Sequence, residues 1–241
     1  MPNFDRILSK KLEVKTIVLK KTIKEQDASV IIEDKKTSLF KKLLKKPKRE
    51  DVHVHSLNLY YECMLTVSGK YIADYYRKAT HTISVDSNVQ EIVFGDGVFP
   101  IRSKSTLQKA FTVARSKNKV DLQLEEHVFI EEENELVFDH HGTETKFPYK
   151  INSKTIENYP QRLLEENLSN VKKPETTHDA AVEKLKAFLK KPMDPDVRKL
   201  TEEFVLKEIA EVYVPVFEAR LIGPNKKIGL LRIDAVRNKI L

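Results

Sequence analysis

His53 and His55 stand two apart in a Val-His-Val-His pattern, so a strand through them would send both imidazoles to one face. His81 lies further along. If residues 52–67 and 70–85 fold back on each other about Ser68-Gly69, His81 falls opposite His55 or diagonal to it. Directly opposed side chains lie roughly 5 Å apart at Cβ. Three imidazoles so gathered could hold a Zn²⁺ with one open position, the basis of a metal-dependent enzyme. No carboxylate or thiol is obviously placed to complete that shell. Asp139-His140-His141 is a second candidate, although adjacent strand residues face opposite ways unless the loop bends.

Other reactive groups point to no reaction. Cys63 shares parity with Leu59, Tyr61 and Leu65, which makes it a buried structural thiol rather than a nucleophile. The chain holds no G-x-S-x-G, H-E-x-x-H, Walker A or dinucleotide glycine pattern. No cofactor is indicated, and a non-enzymatic protein is the favoured reading.

The chemistry of phosphate contact is better represented. Eight of the fifteen residues from Lys35 to Arg49 are basic: Lys35, Lys36, Lys41, Lys42, Lys45, Lys46, Lys48 and Arg49, with no acid among them. The whole chain carries 43 basic and 36 acidic residues, so without this run it would be close to neutral. Cations gathered in one place suit an anionic partner. On a nucleic acid they would release a comparable number of counterions and make binding steeply salt-dependent, with little or no reading of bases. Leu39, Phe40, Leu43 and Leu44 form one apolar stripe within the run, which Pro47 should end. That stripe could instead dock on a protein partner or dip into an anionic membrane surface. The third reading is a stripe packed on the protein's own domain. An acidic patch, Glu125, Glu126, Glu131, Glu132, Glu133 and Glu135, is either a solvated edge or an internal counterpart to the run. Tyr60 and Tyr76 are the tyrosines left over for an outer stacking platform once Tyr61, Tyr71 and Tyr75 take core positions.

These residues need elements to hold them. Residues 12–20 and 28–33 are rich in β-branched side chains and predict strands. The apolar set Leu57, Leu59, Tyr61, Cys63, Leu65 and Val67, then Tyr71, Ala73 and Tyr75, predicts a long hairpin turning at Ser68-Gly69. Gly95-Asp96-Gly97 is a second, short turn between strands. Residues 120–124, 128–130 and 136–138 read as strands, and 104–114 as either helix or strand. A short helix is expected near Pro160 to Leu168. Thr177 would cap a helix bearing Ala181, Val182, Leu185, Phe188 and Leu189. Asp194-Pro195 reads as the start of another, with Val197, Leu200, Phe204 and Ile209 on its face. A closing hairpin turns at Gly223-Pro224-Asn225.

Together these predict an α+β fold of antiparallel hairpins with a few helices. Its divisions would be a basic segment 1–50, a mainly antiparallel β domain 51–150, a connector 151–175, and two helices with a closing hairpin in 176–241. Tyr60…Gly69…Asp86 faintly echoes Tyr213…Gly223…Asp234, which would make two related hairpin units. No apolar stretch is long enough to span a bilayer, no secretory signal is legible, and one cysteine allows no internal disulfide. The expected setting is the reducing cytoplasm.

Overall fold

The computed structural model describes residues 13–41, 47–86, 88–101, 118–192 and 196–241. Strand β1 (Lys15–Val18) leads into helix α1 (Glu25–Lys35), and single 3-10 turns at Ser38–Phe40 and Arg49–Asp51 precede β2 (His53–Val85). A small hairpin follows, β3 (Glu91–Phe94) and β4 (Gly97–Pro100), then β5 (Asn118–Phe138). Helix α2 (Pro160–Glu166), β6 (Val171–Lys172) and helix α3 (His178–Leu189) come next. The chain closes with β7 (Val197–Ile222), β8 (Ile228–Asp234) and β9 (Lys239–Ile240). The main sheet has the order β5-β2-β7-β8-β9, with β1 parallel on β7 and β6 parallel on β2, while among the described residues β3 and β4 pair only with each other. This is the expected α+β fold with a mostly antiparallel sheet. Among the described residues no helix is long and apolar enough to cross a membrane.

Several predicted elements are present. Thr177 caps α3, its hydroxyl accepting the Ala180 N–H at 3.2 Å. Pro160 opens α2 at its first turn. The β7–β8 hairpin runs from Val216↔Asp234 to Ile222↔Ile228. Gly95, at φ +56°, supplies the left-handed turn between β3 and β4.

Four expectations are corrected. Residues 28–33 are helical, because Ala28 and Ile32 are buried four apart while Val30 faces water. The Asp27 carboxylate accepts the Lys24 N–H at 3.0 Å and fixes that helix start. Residues 197–209 are strand, not helix. From Thr201 to Glu208 burial alternates strictly, with Glu202, Phe204, Leu206 and Glu208 turned inward. Glu202 and Glu208 occupy inward positions because Tyr71 and Lys15 meet them, and those two acids disguised the alternation. Ser68-Gly69 is not a turn. β2 runs through it for 33 residues, and Gly69 is buried within the strand. With that hairpin goes the echo of the closing one, which has no structural counterpart. The segments 120–124, 128–130 and 136–138 are one strand, β5. Residues 104–114 and Asp194-Pro195 lie outside the described residues.

The chain divides into two units. The first comprises Met1–Lys70, Glu133–Leu189 and Val205–Leu241. On one sheet face, odd-numbered residues Phe217, Ala219, Leu221, Leu231 and Ile233 pack against Ala28 and Ile32 of α1 and against Phe40. Tyr61, Cys63 and Tyr213 continue that face under Leu163 and Leu164 of α2. On the other, even-numbered Ala210, Val212, Val214 and Val216 meet Met64 and the crossing residues Phe147, Tyr149 and Ile156. The second unit comprises Tyr71–Glu132 and Lys190–Phe204. Its buried side chains are few: Tyr71, Ala73 and Tyr75 from β2, Val120 and Leu122 from β5. Polar pairs between strands do much of the holding there. Thr82 donates to Asp121 at 2.7 Å, Arg77 and His81 converge on Glu126 at 2.8 and 2.6 Å, and Arg198 meets Glu125 at 2.7 Å.

Candidate functional site

The first part of the basic run is held by its own helix. Lys36 is buried and pairs with Glu33 at 2.8 Å, Lys35 approaches Asp34 at 3.5 Å, and Arg49 returns to Asp34 at 2.8 Å. Lys41 and Lys48 are exposed. Lys42, Lys45 and Lys46, with Leu43 and Leu44 of the stripe, lie outside the described residues. The other stripe members part ways. Leu39 is exposed, whereas Phe40 belongs to the core. The Phe40 ring lies so close over the β7–β8 turn that a Cβ on Gly223 would meet it at 2.6 Å and one on Gly229 at 2.9 Å. Gly223 is therefore required for space, not for its backbone angles.

Among the described residues the acidic patch is not paired with the run. Its charges meet other bases: Arg198 on Glu125, Arg77 on Glu126, Lys191 on Glu132 and Lys207 on Glu133. The tyrosine platform is also occupied. Lys172 lies over Tyr60 at 4.5 Å, and Tyr76 stacks on His127 at 4.5 Å with Lys199 over its ring.

The histidine site loses its geometry. Without a turn at Ser68-Gly69, no cross-strand register brings His81 opposite His55. His53 and His55 are exposed, and His81 binds Glu126. The His140 and His141 rings lie against each other with centroids 3.9 Å apart, but they meet different acids: His140 approaches Glu62 at 3.7 Å and His141 approaches Glu175 at 3.3 Å. Among the described residues no three His, Cys, Asp or Glu side chains are grouped to hold a metal ion.

What sequence reading missed is a buried ionic network on the even face of the first unit. Glu62 of β2, only 10% exposed at its side chain, accepts from Lys172 Nζ at 2.9 Å and from the Arg232 guanidinium. Glu218 of β7 shares both bases, at 3.6 and 3.4 Å. The parallel register sets Lys172 directly beside Glu62, and strand alternation keeps Arg232 on the same face as Asp234. Burial opposes ionisation of Glu62, yet the Lys172 hydrogen bond and the Arg232 charge hold its carboxyl below the usual carboxylate range. Burial pushes His140 down, against the pull of Glu62. Two residues along β8, Asp234 is fully buried and accepts from Tyr149 at 2.7 Å, Arg237 Nε at 2.5 Å and two backbone amides. The Tyr149 hydroxyl is held well above its ordinary pKa by burial and this bond.

A third chain ends at the thiol. Cys63 is fully buried, and its pKa is pushed far up by burial. Tyr213 donates to Glu211 at 2.8 Å, which His178 of α3 meets at 2.9 Å. This thiol is structural, as parity implied.

In all three sets the acids meet bases, and these contacts fix the side chains. Two clefts on this unit lie away from these networks. One of about 870 Å³ runs along α1 beside Val30, Glu33 and Leu57, and one of about 260 Å³ lies beside α2 at Tyr159 and Arg162. The signal that could have found the network is charge interrupting apolar strands: Glu62 in YYECML, Glu218 in VFEAR, Arg232 and Asp234 in LLRIDA.

In the second unit the β3–β4 hairpin is different. Val93, Phe94 and Val98 are 63%, 61% and 57% exposed. Alternation places Ile92, Phe94 and Phe99 on one face and Val93 and Val98 on the other, with Ile92↔Phe99 and Val93↔Val98 as pairs. Comparison with family models, with curated proteins and with solved structures finds no match to this chain.

Proposed function

We propose that this is a non-enzymatic interaction protein that meets a macromolecular partner through the β3–β4 hairpin. The observation that carries the reading is the hairpin itself, whose apolar side chains lie in water on both faces. Apolar residues grouped and exposed in this way mark interaction sites. The internally matched charges of the first unit support the same view, because a catalytic group must be free to exchange protons or attack. A reducing cytoplasmic setting fits the lone buried thiol.

A photo-reactive benzoylphenylalanine placed at Val93, in the full chain incubated with extract of its native cells, tests this. A discrete adduct is expected at Val93 and none from the same group at exposed Lys78. No adduct at either position, or equal adducts at both, overturns the reading. Treating the adduct with nuclease or protease identifies its class.

Phosphate contact by the basic run is the second reading, supported by the exposure of Lys41 and Lys48. It expects oligonucleotide binding that falls about tenfold or more between 50 and 200 mM salt. Changing Lys41, Lys42, Lys45, Lys46 and Lys48 to Gln should abolish that binding. Docking of the Leu/Phe stripe on a membrane or partner is weakened by the inward placement of Phe40.

A further inference from the structure

We infer that the β3–β4 hairpin takes up an extended, basic polypeptide segment of a partner protein, adding it as a third strand; this rests on the interaction reading above. Shape, open backbone and charge each restrict the occupant. The hairpin is a two-stranded sheet of its own, with four residues per strand. A lone hairpin of that size is marginal, and two apolar faces cannot both be covered by it. Among the described residues no strand pairs with the outer edge of β3 or β4, and an unpaired edge of this kind offers its outward N–H and C=O groups to another chain. An extended segment satisfies those groups and lays alternate side chains on Val93 and Val98 or on Phe94 and Phe99.

Charge then selects the chemistry. Residues 86–101 contain Asp86, Glu91 and Asp96 and no Lys or Arg. Elsewhere in this unit four acids are matched by bases: Asp74 by His127, Glu125 by Arg198, Glu126 by Arg77 and Glu132 by Lys191. Among the described residues no base sits on Glu91 or Asp96. An anionic membrane surface or a phosphate backbone would be repelled by this rim. A strand alternating Lys or Arg with β-branched residues would fit it. Its apolar side chains would cover one hairpin face while its cations neutralise Glu91 and Asp96.

The test uses the full chain and a fluorescein-labelled decapeptide alternating Lys and Val, read by fluorescence anisotropy. The expected result is saturable binding, none by the matching Glu–Val peptide, and at least tenfold weaker binding by the Glu91→Gln/Asp96→Asn variant. Those two changes keep side-chain size, so the hairpin is retained. Val93→Thr/Val98→Thr, which keeps strand preference, should weaken binding similarly. Equal binding of both peptides, unchanged affinity in the charge variant, or no binding overturns the inference. So does a preference for vesicles of phosphatidylserine or for an oligonucleotide. The two readings fail separately: an adduct at Val93 with an acidic or neutral partner ends this inference and leaves the interaction reading standing, whereas loss of the adduct ends both.

Discussion

The two units use charge in opposite ways. In the first, carboxylates sit inside the sheet packing: Glu62 and Asp234 are buried and each meets two cations or several donors. In the second, apart from the inward Glu202, the paired carboxylates lie nearer the outside and meet bases on other strands, both partners being roughly half exposed in Arg198–Glu125. Apolar packing follows the same division. Layers cover both sheet faces of the first unit, whereas the second buries only a handful of side chains. A buried ion pair adds little net stability over an apolar substitute, but it makes the loss of one partner costly, because the other charge is stranded. An exposed pair is nearly neutral to lose. The first unit should therefore be intolerant of single charge changes, and the second should be forgiving of them.

The sharpest break of this contrast is Glu62→Gln. It leaves Lys172 and Arg232 with only their longer contacts to Glu218 and should destabilise the first unit by about 3 kcal/mol, the low end for a buried pair because both bases keep that contact and some water access. Urea denaturation, with amide exchange along β7 and β8, would measure it. Exchange in β5 residues of the second unit should not change, and if it does, the two regions are not energetically distinct. Next comes the packing beneath Phe40. Phe40→Ala should cost about 3 kcal/mol, and Gly223→Ala about 1–3 kcal/mol by overlap with the ring. The double variant should fall short of the sum, since removing the ring makes room for the new methyl. An additive pair would mean that ring and glycine do not share the space.

The acid response is smaller and more local. His140 is held below its ordinary pKa by burial, with Lys172 and His141 also opposing its charge while Glu62 and Asp139 favour it. The unfolded chain then takes up that proton first as pH falls, so stability is lost on acidification from about pH 6.5 downward. Glu62, also held low, adds a second loss below about pH 4.3, as the carboxyl is protonated through its depressed folded value. His140→Gln should flatten the melting temperature of the first unit between about pH 7 and pH 5 and leave the carboxylate step in place. The smallest effect belongs to the second unit. Arg198→Ala should change its stability by less than about 0.5 kcal/mol, and less still at high salt. A larger loss would show that its outer charges act as a network.

Much of this organisation was legible beforehand. The odd-numbered apolar set from Leu57 to Tyr75 correctly gave the buried face of β2, and Thr177 and Pro160 correctly marked two helix starts. The same odd set also held the clue that was misread. Its parity passes unbroken through Ser68-Gly69, as one continuous strand requires, while a two-residue turn would have reversed it. The short glycine-containing dipeptide outweighed that pattern. In β7 the inward acids Glu202 and Glu208 broke the visible alternation, because their partners Tyr71 and Lys15 are distant in the chain. The ionic network was hidden for the same reason. Glu62, Lys172 and Arg232 are brought together by sheet order alone. The exposed hairpin was half visible: its turn was read from Gly95-Asp96-Gly97, but exposure is a tertiary property that local pattern does not encode.

The parallel pairing of β1 with β7 joins Lys15 to Ala210 and Val18 to Tyr213. A ribosome adding roughly 5–20 residues per second would need on the order of 10–40 s between making one partner and making the other. Throughout that interval the nascent strand lacks its β7 partner, and the centre of the sheet cannot close until β7 has been made. A protein wired in this way gains little from folding as it emerges, and its yield in a cell should depend on whatever shields that early strand from pairing wrongly.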